Sequence, residues 1–438
     1  MRIMKFNQIK LPYLQTTTNL LIKLRTLGGL VALESSEADH ENGRWSIISA
    51  APAETFTVEA EVLQADIHSE LEKLHDALPQ IKSNLPFTGG VIGHIAYDLG
   101  IPNDFSPALH CEKQELLTAG LYTWAFLLDH TQQNCTLIYW DKISSIPQEK
   151  LIEIYKSPDE SAKHFSITSQ FVPNWTKNQY KNKFDRIQNY ITAGDTYQVN
   201  LAQRFSTQFS GDPLIAYAKL KNRAQVPFAC YFEGANFQFC SASPELFISA
   251  NDLNASTKPI KGTRSRGVNT SDDESQKKLL KESKKDQAEN LMIVDLLRND
   301  LSKHSSKVTV SKLFSVESFS TVHHLVSTIN STLNHPNDIL KLFLSALPGG
   351  SITGAPKKRS MEIIQELEDQ ARSFYCGSSF YWSSNQRFSS NILIRSFLFE
   401  DGNVYCWGGG GIVADSKWED EYQESLDKVS RLMESLSE

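Results

Sequence analysis

Lys261 stands in Pro259-Ile260-Lys261-Gly262-Thr263-Arg264-Ser265-Arg266-Gly267, a segment that reads as a lysine placed to do chemistry. Held between Pro259 and Gly262 and followed by two arginines, its amine is expected to bind a proton less tightly than usual, and an uncharged amine is a nucleophile. Taken alone, the segment also reads as a basic surface turn. Near the C-terminus Glu421, Glu424 and Lys428 follow at spacings of three and then four residues, so on a helix their side chains point to one spot. An exposed ion pair on a solvated helix is the plainer alternative. Glu289 precedes the apolar run Met292 to Leu301 and can face inwards, and carboxylates converging from separate helices make an oxygen site for Mg2+. Arg298, Asn299 and Asp300 read as a structural polar network.

Two glycine-rich stretches suit carboxylate groups. Leu347 to Lys357 leads into a helix with Pro356 at its start, so free backbone N–H groups can face an anion. Gly408 to Ser416 reads as a second turn presenting amides ahead of the Glu421 helix. Neither matches a nucleotide-binding fingerprint, and each is equally open to a purely structural reading.

The elements that must position these groups follow from periodicity. Tyr180, Phe184, Ile187 and Ile191 recur at helical spacing over Asn178 to Ala193, before Gly194. Helices are also expected over Ala288 to Lys303 and Lys417 to Leu436. Strands are expected at Gln198 to Phe205, Phe228 to Phe232, Phe237 to Cys240 and Leu246 to Ser249, and residues 1 to 155 read as mainly β. The polar stretch 141 to 176 reads as a connecting segment, and the charged stretch 268 to 288 as a solvated loop and helix, a flap beside Lys261.

A chain of 438 residues exceeds what one compact core usually holds, so two subdomains or one large duplicated unit are expected. Its net charge of −7 argues against nucleic acid or an anionic membrane as partner. The N-terminus lacks a signal-peptide pattern and no stretch is long enough to span a bilayer, so a cytoplasmic location is expected. The six cysteines lie far apart without a Cys-x-x-Cys pair and read as reduced, mostly buried thiols.

In this order the pieces resemble the chorismate-utilising enzymes, most closely the branch that aminates chorismate at C4 toward 4-aminobenzoate and folate. The resemblance covers about residues 175 to 438, through Gly194 to Leu201, Ser243 to Phe247, the Lys261 segment, Glu289 to Leu301, His323-His324-Leu325, Thr353 to Lys357, Ile394-Arg395 and Gly409 to Ser416. It continues more weakly at Leu33-Glu34-Ser35 and Gly89-Gly90. Anthranilate-forming relatives carry alanine at the place of Lys261, and isochorismate-forming ones a lysine base at the place of Gln198, so both positions favour the aminating branch.

The resemblance implies an α+β fold, a large two-subdomain sandwich with facing β-sheets and outer helices. It divides the chain into an N-terminal region, 1–155, and a chorismate-binding catalytic region, 175–438. It implies Mg2+ held by Glu289 and Glu424, with Glu421 nearby through water, anchoring the ring carboxylate. Arg395 and Tyr381 match positions that hold the enolpyruvyl carboxylate. Lys428 and the amides of Gly409, Gly410 and Gly411 match ring-carboxylate contacts, and Gln198, Gly350 and Ser351 belong to the same substrate-binding set. Lys261 is expected to attack C2 as the C4 hydroxyl leaves, with ammonia then entering at C4 and expelling the lysine. Glu245 matches a general acid/base, His324 a position near the ring, and Thr263 an orienting hydroxyl. No glutaminase signature surrounds any cysteine, so ammonia is expected from a separate glutamine amidotransferase subunit.

Glu34, Ser35 and Pro227 resemble a tryptophan pocket of related enzymes, with ligand-free packing equally open. Trp45 stands near the place of a lysine found in regulated relatives, so weak or absent inhibition by tryptophan is expected. Phe380, Ser389 and Trp407 depart from the usual glycine, aspartate and smaller neighbour of the glycine run. The alternatives to the C4-aminating reading are the anthranilate-forming enzyme and a non-catalytic amino-acid-binding relative.

Overall fold

The apolar runs of the N-terminal half are strands whose successive side chains are buried on opposite sides. In the computed structural model, which describes residues 4–38, 40–59, 66–101, 115–160, 163–319 and 322–438, Ala125 and Leu127 join one apolar cluster while Trp124, Phe126 and Leu128 join another. Val31 and Ala32, Ile47 and Ile48, and Cys230 and Tyr231 divide the same way. Side chains alternate along a strand, so burial on both faces requires a layer on each side. One layer is a second sheet, which adds Val91, Ile92, Phe247, Ile248 and Phe388 to the first cluster. The other is helical, and adds Leu20, Leu151, Leu220 and Leu432 to the second.

The first sheet runs Phe6–Leu11, Asn134–Trp140, Trp124–Asp129, Trp45–Ser49, Val31–Glu34, Phe228–Glu233, Phe237–Ser243, Ser396–Glu400, Asn403–Ile412, Gln198–Gly211, Val172–Pro173. The second runs Ile260–Ser265, Val322–Leu333, Asn254–Thr257, Leu246–Asn251, Arg387–Asn391, Ser378–Ser383, Gly90–Ile95, Glu115–Tyr122, Thr55–Glu59, with Ser305–Ser318 also paired to Val322–Leu333. Two facing antiparallel sheets with helices outside form the expected α+β sandwich. Each sheet draws on both ends of the chain: Phe228–Glu233 pairs with Val31–Glu34, and Ser378–Ser383 with Gly90–Ile95.

The helix expected after Pro173 spans Lys177–Ala193. Thr176 and Gln179 close a capping box at its start, and Gly194, at φ 82°, ends it in the left-handed conformation that glycine adopts without strain. Two polar stretches differ from expectation. Residues 141 to 176 are not a bare connection: Leu151 and Tyr155, four residues apart, seat the helix Gln148–Lys156 on the core, and Phe165–Ile167 and Val172–Pro173 pair with Gln198–Gly211. Residues 268 to 288 carry the expected helix, with a second helix where a loop was expected. They form the helix Thr270–Glu282 and the start of Lys284–Ser302, capped by Asn269 and Ser283. Asp273 fastens the first of these, accepting from Arg266 Nε at 2.7 Å and pairing with His323 Nε2 at 2.9 Å.

The five described cysteines, Cys135, Cys230, Cys240, Cys376 and Cys406, are free and buried, and Cys111 lies outside the described residues. Among the described residues no helix is long and apolar enough to cross a membrane.

Gly408 to Gly411 form no turn. They lie in the strand Asn403–Ile412, paired with Asn200 to Gln203 of Gln198–Gly211. Glycine is needed because the C-terminal helix, Trp418–Ser437, crosses this strand at backbone distance: a Cβ on Gly408 would lie 2.1 Å from the Ser425 carbonyl oxygen. Gly408→Ala is therefore expected to lower the unfolding free energy by about 1–3 kcal/mol in urea titration. An unchanged midpoint would show that the helix is not seated by this contact.

Candidate active site

Lys261 sits at an irregularity in its strand. Within Ile260–Ser265 the pairing to Val322–Leu333 slips between Ile260 and Thr263, and Gly262 takes φ 84°. A bulge re-aims the side chain beside it. The Lys261 amine donates to the Ser351 carbonyl at 3.3 Å. It feels Glu289, Lys428, Glu245 and Glu424, which come from three different places in the chain. Burial pushes the amine below the ordinary lysine value and Lys428 adds to this, against the pull of the three carboxylates.

Glu245, only 6% exposed, precedes the strand Leu246–Asn251. Burial raises its carboxyl above the ordinary glutamate value, against Ser351, Lys261 and Lys428. His324 is buried with Nδ1 2.8 Å from Thr263 Oγ1, and burial with nearby Arg395 pushes it down to about 3, so the ring is neutral. Arg395, at φ 54°, has its guanidinium desolvated with no carboxylate partner among the described residues. A half-buried, desolvated arginine with no carboxylate partner is a receptor for an anion. Gln198 is fully buried and both atoms of its amide lack a partner among the described residues.

The C-terminal helix delivers the three side chains read from its spacing. Over Gly410, where a Cβ would stand, Glu421 Oε2, Glu424 Oε1 and Lys428 Nζ lie 3.1, 3.4 and 3.7 Å away. Lys428 bonds Glu424 at 2.7 Å and the Gly409 carbonyl at 2.7 Å. Glu421 accepts from Ser416 Oγ at 2.7 Å. Lys428 and Glu424 remain 43% and 52% exposed because they face an open cleft, so their ion pair is screened by water. Glu289 arrives from Lys284–Ser302, and Lys285 Nζ stands between Glu289 Oε1 at 3.9 Å and Glu421 Oε1 at 3.8 Å.

These carboxylates fit a hard divalent cation. An ammonium already stands between Glu289 and Glu421, and the carboxyls of both are raised, chiefly by burial and further by the like charge of Glu424. Among the described residues no three acidic, imidazole or thiol groups lie close enough to form a closed ligand set. Glu289, Glu421 and Glu424 supply hard oxygen donors, and a divalent ion held by them would need water to complete its shell.

Other expected residues behave differently. The Gly350–Ile352 turn offers Lys261 a carbonyl at Ser351, and the amides of Ile352 and Thr353 donate within the turn to Gly349 and Gly350. A Cβ on Gly350 would strike Leu296, so that glycine seats the turn on the Glu289 helix. Gly409, Gly410 and Gly411 contribute a strand floor instead of a turn. Tyr381 lines a cavity of about 190 Å3 together with Glu34, Trp45, Pro227 and Arg387. Phe380 and Ser389 share that wall, while Trp407 stacks on Tyr375 with centroids 5.8 Å apart.

The cavity beside Glu34 is small for a ligand site. The Glu34 carboxylate accepts from Thr17 at 2.5 Å, Tyr217 at 2.8 Å and Lys221 at 2.9 Å, and Ser35 Oγ accepts from the Glu37 amide at 3.1 Å. Both polar side chains are engaged by the protein itself. Two residues of the Lys261 cleft were not singled out in the sequence. Lys285 lies four residues before Glu289, a spacing that could have marked it. Asp286 packs where a Cβ on Gly262 would meet its Cγ at 2.8 Å, and pairs with Arg264 at 3.2 Å.

Comparison with known proteins converges on one family. The family described as chorismate binding enzyme matches residues 31–434. Aminodeoxychorismate synthase component 1 of Klebsiella aerogenes is 40% identical, covering 92% of this chain and 93% of its own. Anthranilate synthase component 1 of Geobacillus stearothermophilus is 30% identical over 93% of this chain and 88% of its own. The crystal structure of anthranilate synthase component I from Streptococcus pneumoniae TIGR4 superimposes with a TM-score of 0.77 at 27% identity, covering 89% of this chain and 92% of that one. With its paired sheets and a cleft that gathers an unpaired arginine, a desolvated lysine and converging carboxylates, the chain belongs to the chorismate-binding enzymes.

Proposed function

We propose that this chain is an aminodeoxychorismate synthase component 1, converting chorismate and ammonia to 4-amino-4-deoxychorismate and water, with ammonia delivered by a separate glutamine amidotransferase subunit. The observation that carries the reading is Lys261: a depressed amine in a cleft of carboxylates, in a chain 40% identical to an enzyme of that name. A relative with alanine at this position has no nucleophile there.

The proposed chemistry is two allylic displacements. The Lys261 amine bonds C2, the ring double bonds shift, and the C4 hydroxyl leaves as water with a proton from Glu245. Ammonia then bonds C4, the double bonds shift back, and the Lys261–C2 bond breaks with return of the proton to the pair. Splitting one difficult substitution into two easier ones is the gain of covalent catalysis. Arg395 receives the enolpyruvyl carboxylate, Lys428 the ring carboxylate, and the Gln198 amide faces the ring. Glu289, Glu421 and Glu424 would hold Mg2+, which supplies positive charge for the ring carboxylate. Glu34 and Ser35 being engaged already supports a cavity that does not take up free tryptophan.

The full chain with chorismate, Mg2+ and ammonium is expected to give aminodeoxychorismate by liquid chromatography, and with glutamine in place of ammonium to give none. Anthranilate with pyruvate as products would overturn the assignment. Protein quenched during turnover is expected to carry the mass of chorismate less one water on the Lys261 peptide, and an adduct elsewhere would remove Lys261 as nucleophile. The productive pair holds one proton. At low pH both groups are protonated and the amine cannot attack, at high pH both are bare and no acid remains, so kcat/KM is expected to fall on both sides. Glu245→Gln, which needs only an uncharged Lys261, should lose the basic limb and about 10²–10⁴-fold in kcat; a basic limb that persists would assign it to another group. Millimolar tryptophan should leave the rate unchanged.

A further inference from the structure

Lys285 is in the wrong place to stabilise its own helix. It lies in the first turn of Lys284–Ser302, where the helix dipole disfavours a cation, and it precedes Glu289 by four residues, the weaker order for a helical ion pair. Its ammonium is too far from either carboxylate for a hydrogen bond, 3.9 Å from Glu289 and 3.8 Å from Glu421, and so lies between two side chains that reach it from separate helices. Half of the side chain, 52%, is exposed, which leaves it a path out to water. Glu424 has its own ammonium in Lys428, while among the described residues Glu421 has only the Ser416 hydroxyl besides Lys285 at bonding or pairing distance.

We propose that Lys285 is a tethered counter-cation that holds Glu289 and Glu421 together in the metal-free protein and must leave as a divalent cation binds. The ammonium and the ion are alternative occupants of one position, so each weakens the other's hold by the same factor. Once displaced, Lys285 stays on the rim of the cleft as a positive charge beside the entering substrate. This rests on reading Glu289, Glu421 and Glu424 as a Mg2+ site.

Calorimetric titration of the full, substrate-free chain with Mg2+, repeated with Mn2+ by electron paramagnetic resonance, separates the two. Lys285→Gln is expected to bind either ion at least about five-fold more tightly than the unsubstituted chain, and Lys285→Arg to stay near it. The thermal midpoint of Lys285→Gln should fall without metal and recover with saturating Mg2+. Equal or weaker binding by Lys285→Gln, or a midpoint deficit that Mg2+ does not reduce, would show a merely structural lysine and overturn the proposal while leaving the metal site standing. No binding by the unsubstituted chain would remove the metal site, and the proposal with it.

Discussion

One proton shared between Glu245 and Lys261 governs what the cleft can do. Ionising both groups requires two charges to be held in a desolvated space, and the attraction between them offsets only part of that cost. Placing the proton on the carboxylate leaves a neutral acid and a neutral amine. Burial pushes Glu245 up and Lys261 down, so both effects move the pair toward that neutral form. The amine lone pair and the acid proton then exist together, as the proposed displacement of the hydroxyl requires. His324, held neutral at the same wall, donates no competing charge.

The scaffold keeps these groups near one another by backbone contacts that admit little variation. The Gly262 bulge turns Lys261 toward the Ser351 carbonyl, and Asp286 fills the space a side chain at 262 would take, joining the nucleophile's strand to the helix of Glu289. Gly408 lets the C-terminal helix lie against the strand floor, which brings Glu421, Glu424 and Lys428 over Gly410. Glycines here act by making room for backbone and carboxylate, and only Gly262 also uses a positive φ.

What could be read in the sequence was local and periodic. The spacing of Glu421, Glu424 and Lys428 placed them correctly because a helix converts spacing directly into direction. The bracket of Pro259 and Gly262 marked Lys261 for the same local reason. The cavity that Tyr381 lines could not be read locally, because its walls come from distant segments and Ser378–Ser383 pairs with Gly90–Ile95, nearly 300 residues earlier. The glycine run looked like a turn because its partner, the Ser425 backbone, is a tertiary neighbour. Lys285 was hidden in a charged stretch that reads as solvated until Glu421 arrives from the far end of the chain.

Charge balance ties the acidic cluster to the substrate. With the Glu245–Lys261 pair neutral as a whole, Glu289, Glu421 and Glu424 are matched in number by Lys285, Lys428 and Arg395. A cleft so balanced has no net field to draw in a dicarboxylate. With a divalent cation bound it carries two surplus positive charges, equal and opposite to those of a substrate with two carboxylates. Arg395 acts on His324 and is paired with none of these carboxylates among the described residues, so the surplus is not gathered in one ion pair. A molecule with two carboxylates matches that surplus, whereas a monocarboxylate leaves one charge unpaired in a desolvated space, at a cost the cleft does not recover.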